Sequence, residues 1–398
     1  MQKPTIQSIL IALVAFILST SSSYALTTYL YAPGNGGSLS PIATPGIGGG
    51  LNLDPALPRT AECPVNGEMF TEQERAVWEG RRPLFVMIEN SVDARPQSGL
   101  GSADVVYEGI SEGGISRFGA VFYCGVAAAD TVIGPVRSAR THFVNVASEY
   151  NFPLYAHVGG ANCSSPDGGK TCLSDKRVQA LEQIAKYGWN QDNDLNQFSI
   201  GFPTYWRDYE RLGRTVATEH TMYSSTEKLW SYAEKYRDWT NESPDGDDWS
   251  DDFKLWSFKD DAETGERGTK SPSFGFWENY HDFDVVWNYD QTSNTYLRKN
   301  GGESHIDLND DSQYDAKVVI VQFVEEEGPV DELKHMYYEM IGKGDAMVFQ
   351  DGQVIEASWK KLSREGRTTF TDTKGKALEL NRGPIWIEIL PEDNDISY

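Results

Sequence analysis

The segment RRPLFVMIENSVDARPQSGLGSADVVYEGISEGGISRFGAVFYCG, residues 81–125, decides the fold of this chain. Within it, PLFVMIEN (83–90) is a continuous apolar run of strand length, and ADVVYEGI (103–110) alternates like a half-buried strand. RFGAVFYCG (117–125) follows after the turn-prone SEGGIS. We therefore predict a strand followed by an antiparallel hairpin.

The residues downstream add both strands and helices. TVIGPVRSARTHFVNVASEY (131–150) begins as a strand and acquires a helical spacing of apolar residues from Ser138 onward. PLYAHVGG (153–160) predicts another strand, and 175–189 and 225–236 predict helices with one apolar face. Because strands and helices mix without a regular βαβ alternation, the sequence favours an α+β fold: a mixed-sheet N-terminal domain with flanking helices.

The C-terminal part predicts a β-rich domain. Between Glu242 and Glu266 there are ten acidic residues against two lysines, which indicates a solvated loop or insertion and a domain boundary. Beyond it, short strands alternate with turn residues. The predicted segments are a signal peptide or short membrane anchor (1–25), a Gly/Pro-rich linker (26–62), the N-terminal α+β domain (63–241), the acidic loop (242–272), the β-rich C-terminal domain (273–391) and an acidic tail (392–398).

The N-terminus has the composition of an export signal. Lys3 precedes an apolar run from Ile9 to Leu18, and small residues near Ala25 suit a signal peptidase. The run is shorter than the roughly 20 residues that a membrane-spanning helix needs, which favours a cleaved signal over an uncleaved anchor. No cysteine follows the run, so lipidation at this place is excluded. We expect an extracytoplasmic protein, secreted or held at the outer face of a bacterial membrane through its N-terminal segment.

Charge and cysteines narrow the classes further. The formal net charge is -24, which repels phosphate backbones and makes nucleic acid an unsuitable partner. Four cysteines in an exported chain predict disulfides, with three pairings open. The simplest joins Cys163 to Cys172 and leaves Cys63 for Cys124. No Cys-x-x-Cys or neighbouring histidine pair is present, so the sequence assigns no metal site.

Several motifs occur in an order that resembles the YerB-like family of bacterial envelope proteins. They are ARPQSGL, ADVVYE, EGGISRF, IGPVRSAR and HVGG in the N-terminal half, and GDAMVFQDGQVIEASWKK and PIWIEILP in the C-terminal half. The resemblance covers roughly Arg81 to Pro391. It implies two domains, an α+β fold and an extracytoplasmic location, but no reaction. Many members carry a lipidated cysteine after the leader, and this chain departs from them there.

Four residues suggest an anion-binding site. Asp104 and Arg117 begin neighbouring strands, while Arg137 and Arg140 flank Ser138 where a strand gives way to a helix. Two guanidiniums three residues apart on a first helical turn would form a clamp for phosphate or carboxylate. The spacing is similar to that of the LytR-CpsA-Psr phosphotransferases, although their Ile-Pro-Arg-Asp element is absent. The alternative is that these arginines form structural ion pairs with nearby carboxylates.

Other polar residues complete the candidate site. Carboxylates and their neighbours are expected to converge at one end of the sheet, and His157 ends a strand before two glycines that suit a pocket floor. A lone histidine is more often a satisfied core residue than a base. The full set of candidate ligand-binding residues is Glu89, Asn90, Arg95, Asp104, Glu108, Glu112, Arg117, Arg137, Ser138, Arg140, His157, Gly159, Gly160 and Asn162.

Two functions fit this sequence. The preferred one is an envelope binding or scaffold protein with an anion site for phosphate, pyrophosphate or carboxylate, since well-marked hydrolase and nucleotide-binding motifs are missing. Its partner would be a cell-envelope component or another protein. The alternative is a divalent-cation-dependent enzyme acting on phosphorylated lipid or glycopolymer precursors. We assign no certain cofactor, and a divalent cation belongs to the enzymatic alternative.

Overall fold

A computed structural model of the chain describes residues 56–163 and 172–398. The predicted signal peptide (1–25) and most of the predicted linker fall outside these residues. Within them, no helix has the length and apolar character required to cross a membrane. The α-helices are α1 (Glu72–Trp78), α2 (Thr141–Ala147), α3 (Ala180–Lys186), α4 (Gln197–Ile200) and α5 (Thr226–Arg237).

The strands of the described residues are mostly short. They are β1 (Arg59–Glu62), β2 (Met69–Thr71), β3 (Leu84–Glu89), β4 (Val105–Glu112), β5 (Ile115–Phe122), β6 (Val132–Ile133), β7 (Leu154–His157), β8 (Asp194–Asn196), β9 (Trp206–Arg207), β10 (Met222–Ser225), β11 (Ser257–Lys259), β12 (Ser273–Phe274), β13 (Val285–Asp290), β14 (Thr295–Asn300), β15 (Glu303–Ser304), β16 (Asp315–Ala316), β17 (Val318–Val324), β18 (Glu326–Glu327), β19 (Tyr337–Tyr338), β20 (Gly342–Gln350), β21 (Gln353–Lys361), β22 (Thr369–Asp372), β23 (Glu379–Asn381) and β24 (Ile385–Pro391).

A ten-stranded mixed sheet forms the centre of the fold, in the order β22-β21-β20-β17-β24-β4-β5-β3-β7-β8. The predicted hairpin is confirmed, because β4 and β5 pair antiparallel with Val105 opposite Val121. β3 pairs antiparallel with β5 and parallel with β7. Every residue of β3 is buried, as the unbroken apolar run of its sequence indicates for a strand covered on both faces.

The sheet is continuous between the two halves of the chain. β24 pairs parallel with β4, so that strands from the C-terminal half extend the sheet begun by the N-terminal half. β17, β20, β21 and β22 continue it on that side. The α+β class, with a large mixed sheet and a β-rich C-terminal region, is therefore confirmed.

The sequence carries a capping signal at the start of α1 and an apolar face along α5. Thr71 caps α1 through a reciprocal capping box with Glu74, which satisfies two main-chain N–H groups at the helix start. In α5, Leu229, Trp230 and Ala233 are buried, as their spacing of three and four residues predicts for one helix face. This face packs against β3 and β7 and covers the sheet beside the candidate site.

The acidic segment 242–272 is only partly solvated. Its acidic residues are mostly exposed, but Trp249, Phe253 and Trp256 are buried in the core. Trp230, Trp239 and Trp287 are buried as well, so these tryptophans build the core.

Both disulfides have the simplest of the three pairings that the sequence left open. Cys63 is bonded to Cys124, and Cys163 is bonded to Cys172. The first bond is buried and ties the start of the described chain to the end of the β5 segment. The second bond adjoins Asn162, at the rim of the cleft described next.

Candidate ligand-binding cleft

A cleft of about 640 Å³ opens beside the ends of three neighbouring strands. β3, β7 and β8 run parallel to one another, so their carboxyl ends meet at the same edge, where α/β sheets commonly bind ligands. The residues that line the cleft are Arg137, Ser138, Val158, Gly159, Gly160, Asn162, Leu181, Asn196, Phe198, Arg207, Thr218, Glu219 and Met222. Five of them, at positions 137, 138, 159, 160 and 162, are among the residues that the sequence nominates.

Arg137 is the nominated arginine that lines this cleft. Its Nε donates to Glu89 Oε1 at 3.2 Å, and its side chain remains 26% exposed. Glu89 is buried, and its other oxygen lies 2.9 Å from Nδ1 of His220. Glu89 and His220 thus hold one edge of the guanidinium while the rest stays accessible to a ligand.

Arg140 points away from Arg137. The expected helical turn does not form here, because α2 begins only at Thr141 and Arg140 is its extended N-cap residue. In an extended segment, residues three apart face opposite sides, since side chains alternate with a period of two. The predicted clamp of two adjacent guanidiniums on one helical turn is therefore wrong.

Arg117 and Arg140 share one carboxylate instead. Glu112 Oε1 accepts from Arg117 Nη2 at 3.1 Å, and its Oε2 accepts from Arg140 Nε at 2.8 Å. Burial raises the pKa of Glu112, but the two guanidiniums outweigh this effect and hold the pKa well below its usual range. Arg117 also donates to the Ser138 carbonyl at 3.0 Å, which fixes the main chain next to Arg137. The structural ion pairs considered from the sequence are therefore present for Arg140, which pairs with Glu112, and also for Arg137, which pairs with Glu89.

Two glycines form the floor of the cleft. Gly159 has a φ of +59°, a conformation that favours glycine, and its N–H donates to Asn196 Oδ1 at 3.2 Å. A Cβ on Gly160 would lie 2.9 Å from Cδ2 of Leu181. The left-handed conformation of Gly159 and the close packing at Gly160 therefore disfavour side chains at these positions, and the main chain itself lines the cleft. Asn162 stands at the exposed rim.

His157 lies beneath this floor and is fully buried. Its Nδ1 is 2.6 Å from the Gly159 carbonyl oxygen, and its Nε2 is 2.6 Å from Asp194 Oδ1. Both ring nitrogens of His157 thus lie within hydrogen-bonding distance of an oxygen atom. His157 therefore fixes the Gly159 turn and is not exposed to a ligand.

Asp104 lies apart from the arginines. It precedes β4, and its buried carboxylate accepts from the N–H groups of Tyr123 at 2.6 Å and Gly125 at 3.0 Å. Desolvation by burial raises its pKa to about 7. The expected convergence of Asp104 with Arg117 and Arg137 is not found. Asp104 precedes the start of β4, whereas Arg117 faces Gly109 in the second half of that strand, and five extended residues span about 17 Å.

Glu108, Asn90 and Arg95 belong to a buried network between the two halves of the chain. Glu108 pairs with Arg298, and its Oε1 accepts from Asn90 Nδ2 at 3.1 Å. Arg95 donates from Nε to Asn90 Oδ1 at 3.0 Å and from Nη1 to a main-chain oxygen of the C-terminal half. Glu89 and Glu112 lie toward the same end of the sheet, because Arg117 of β5 faces both Glu89 on β3 and Gly109 on β4. Each of the carboxylates of Glu89, Glu108 and Glu112 is paired with an arginine.

Several residues that line the cleft were not predicted from the sequence. Arg207 donates to the carbonyl oxygen of Thr218 and stands on β9, a strand of two residues that carries no usable periodicity. Phe198 is 75% exposed, although its residue type predicts burial. The feature of the sequence that could have drawn attention to this segment is its cluster of aromatic residues within 198–209.

The described residues contain one three-residue group with the spacing of metal ligands. It consists of Cys63, Asp104 and Cys124. The two sulfurs are bonded to each other in a disulfide, so neither is a free thiolate for a metal.

These observations define an α+β protein whose N-terminal half carries an arginine-lined cleft. The chain belongs to the DUF3048 family, the YerB-like proteins: residues 70–239 match the N-terminal domain and residues 274–387 the C-terminal domain of this family, both described as of unknown function. The family resemblance predicted from the sequence is confirmed.

Two comparisons with YerB of Bacillus subtilis agree with this assignment. The chain is 29% identical to "Putative lipoprotein YerB" of strain 168 over 354 residues, which cover 85% of this chain and 89% of YerB. The crystal structure of Bacillus subtilis YerB superposes with a TM-score of 0.64 at 24% identity, covering 85% of this chain and all of that chain. The structural likeness supports the fold.

Proposed function

We propose that this protein is an extracytoplasmic envelope protein that binds a phosphate, pyrophosphate or carboxylate group in the cleft at Arg137. The observation that carries the proposal is the accessible guanidinium of Arg137 beside the bare main chain of Gly159. Guanidiniums bind such oxygens through two parallel hydrogen bonds. The ligand would be a cell-envelope component or a group on a protein partner.

The charge around the cleft supports an anionic ligand. The cleft is lined by two arginines, Arg137 and Arg207, and by a single carboxylate, Glu219, although the net charge of the chain is -24. Behind the lining, Arg117 and Arg140 share Glu112, and Glu89 pairs with Arg137, so that four arginines in all face three carboxylates. Excess positive charge inside a strongly acidic protein favours an anion at this place and disfavours it elsewhere on the surface. The same acidity argues against nucleic acid as a partner.

The location rests on two further observations. The chain has two disulfides, which persist in oxidising compartments, and its relative YerB bears the name of a lipoprotein. Because this chain has no cysteine after its apolar N-terminal run, we propose secretion or retention by that run as the route.

The geometry favours binding over the enzymatic alternative. A cation-dependent phosphotransferase reaction would require Asp104 and the arginines to share one cleft, with a carboxylate free to hold the cation. Asp104 is enclosed by main-chain N–H groups, and Glu112 is saturated by two arginines.

Replacing Arg137 with alanine is expected to weaken anion binding by about 10- to 100-fold, because a hydrogen bond to a charged group contributes about 1.5–3 kcal/mol. Isothermal titration of the purified protein with pyrophosphate and with malonate measures this loss. Arg137→Lys, which keeps the charge but not the planar fork, should give an intermediate affinity.

The matched control is Arg75→Ala, because Arg75 is an exposed arginine of α1 paired with Glu72 and Glu79. It should bind both probes like the unchanged protein, and thermal melting verifies that all variants fold. If neither pyrophosphate nor malonate binds the unchanged protein, or if Arg137→Ala binds them equally well, the proposed site is wrong.

A further inference from the structure

Phe198 is a feature of the cleft that anion binding leaves unexplained. Its ring lines the same cavity as Arg137 and is 75% exposed. A Cβ on Gly159 would lie 2.9 Å from Cε2 of Phe198, so the ring rests against bare main chain. The glycine thus supports the ring on one side, while most of the side chain faces the solvent.

Asn196 holds Phe198 in this place. Its Oδ1 accepts from the N–H of Phe198 at 3.2 Å and from the N–H of Gly159 at 3.2 Å. The side chain of Asn196 therefore joins the start of α4 to the glycine turn of the cleft floor. Phe202 is 83% exposed on the same segment, but it does not line the cleft.

We propose that the ligand of this cleft is an acidic sugar, whose ring stacks on Phe198 and whose phosphate or carboxylate group binds Arg137. This inference rests on the function proposed above and specifies its ligand. A sugar ring has an apolar face of C–H groups and a polar edge of hydroxyl groups, and an exposed aromatic ring complements the apolar face.

The lining of the cleft matches both parts of such a ligand. Val158, Leu181 and Met222 contribute apolar surface, whereas Asn162 and Asn196 contribute amides that can bind hydroxyl groups. An acyl chain would require a continuous apolar groove, and the amides and guanidiniums interrupt this one. The mixed lining therefore favours a sugar over a lipid tail.

Two pairs of probes test the inference by isothermal titration of the full chain. Glucose 6-phosphate is compared with inorganic phosphate, and glucuronate is compared with acetate, so that the ring is the difference within each pair. We expect at least one sugar acid to bind about threefold to tenfold more tightly than its ring-free partner. Phe198→Ala should remove this gain and leave the affinity for the ring-free anion unchanged.

Phe202→Ala is the matched control, because it removes an equally exposed ring from the same segment outside the cleft. It should preserve the gain, and thermal melting verifies that both variants fold. A gain that Phe198→Ala leaves intact would overturn the inference. A gain seen with hexyl phosphate or phenyl phosphate but with neither acidic sugar would also overturn it, even though the anion site itself would stand. Failure of every anion to bind would overturn the proposed function together with this inference.

Discussion

Replacing Arg298 with methionine is expected to lower the free energy of unfolding by about 3–5 kcal/mol, the range found when a buried ion pair loses one partner. Arg298 is fully buried on β14 and pairs with Glu108 of β4. Its Nη1 also lies 3.3 Å from Oε1 of Glu388 on β24. Without the guanidinium, the carboxylate of Glu108 would stay buried beside Glu388 with no cation.

The surroundings of Arg298 show why few other residues would replace it. The guanidinium carbon lies 4.8 Å from the ring centre of Trp386, and Nε donates to Nδ1 of His305 at 3.1 Å. Burial lowers the pKa of His305 well below its usual range, so the neutral ring can accept this bond. Burial and then the charge of Glu108 raise the pKa of Glu388 well above its usual range.

Urea unfolding of Arg298→Met and of a compensated double variant measures this effect. In Arg298→Met/Glu108→Gln the buried carboxylate is removed together with its cation, so this variant should recover more than half of the lost stability. Arg75→Met, at an exposed ion pair, should change stability by less than about 0.5 kcal/mol. A loss below about 1 kcal/mol in Arg298→Met, or equal losses with and without Glu108→Gln, would contradict the assignment.

Local pattern in the sequence predicted the elements of the fold. The apolar run of β3 and the alternation in β4 identify strands because burial on two faces or on one leaves a distinct pattern. The joining of the two halves into one sheet was not predictable in this way. It depends on β24 pairing with β4 across more than 270 residues of chain, and no local pattern encodes that register.

The part of the cleft lining that directly follows the end of β7 was predictable from the sequence. The glycines after β7 line the cleft, because Gly159 has a positive φ and Gly160 packs closely against Leu181 and Ala139. The directions in which the arginine side chains point depend on the residue at which α2 begins, and hydrophobic periodicity locates such a helix boundary poorly. With the helix starting at Thr141, residues 137–140 are extended, and Arg140 turns to Glu112 while Arg137 faces the cleft. Because the predicted helix began about one turn too early, the predicted direction of the Arg140 guanidinium was wrong.

The stability of the protein is expected to fall by about 1.4 kcal/mol per pH unit between about pH 4 and pH 7 through the titration of Asp104. Burial raises the pKa of Asp104 to about 7, against the opposing effect of the N–H groups of Gly125 and Tyr123. In this window the unfolded chain has released the proton that the folded protein still holds. Raising the pH therefore favours unfolding until the folded carboxyl ionises, and the contribution becomes constant above about pH 7 and below about pH 4.

Urea unfolding across this range tests the expectation when the unchanged protein is compared with Asp104→Asn. The Asp104→Asn protein is expected to be less stable at every pH. Its amide NH₂ group would face the N–H of Tyr123 or Gly125 at a position where the Asp104 carboxyl group accepts a hydrogen bond. It does not titrate, however, so the stability difference between the two proteins should narrow as the pH rises. Asp93→Asn is the matched control, since Asp93 is an exposed carboxylate paired with Arg214 and should leave the slope unchanged. Parallel profiles for the unchanged protein and Asp104→Asn would mean that the main-chain N–H groups outweigh burial and keep Asp104 ionised in the folded state.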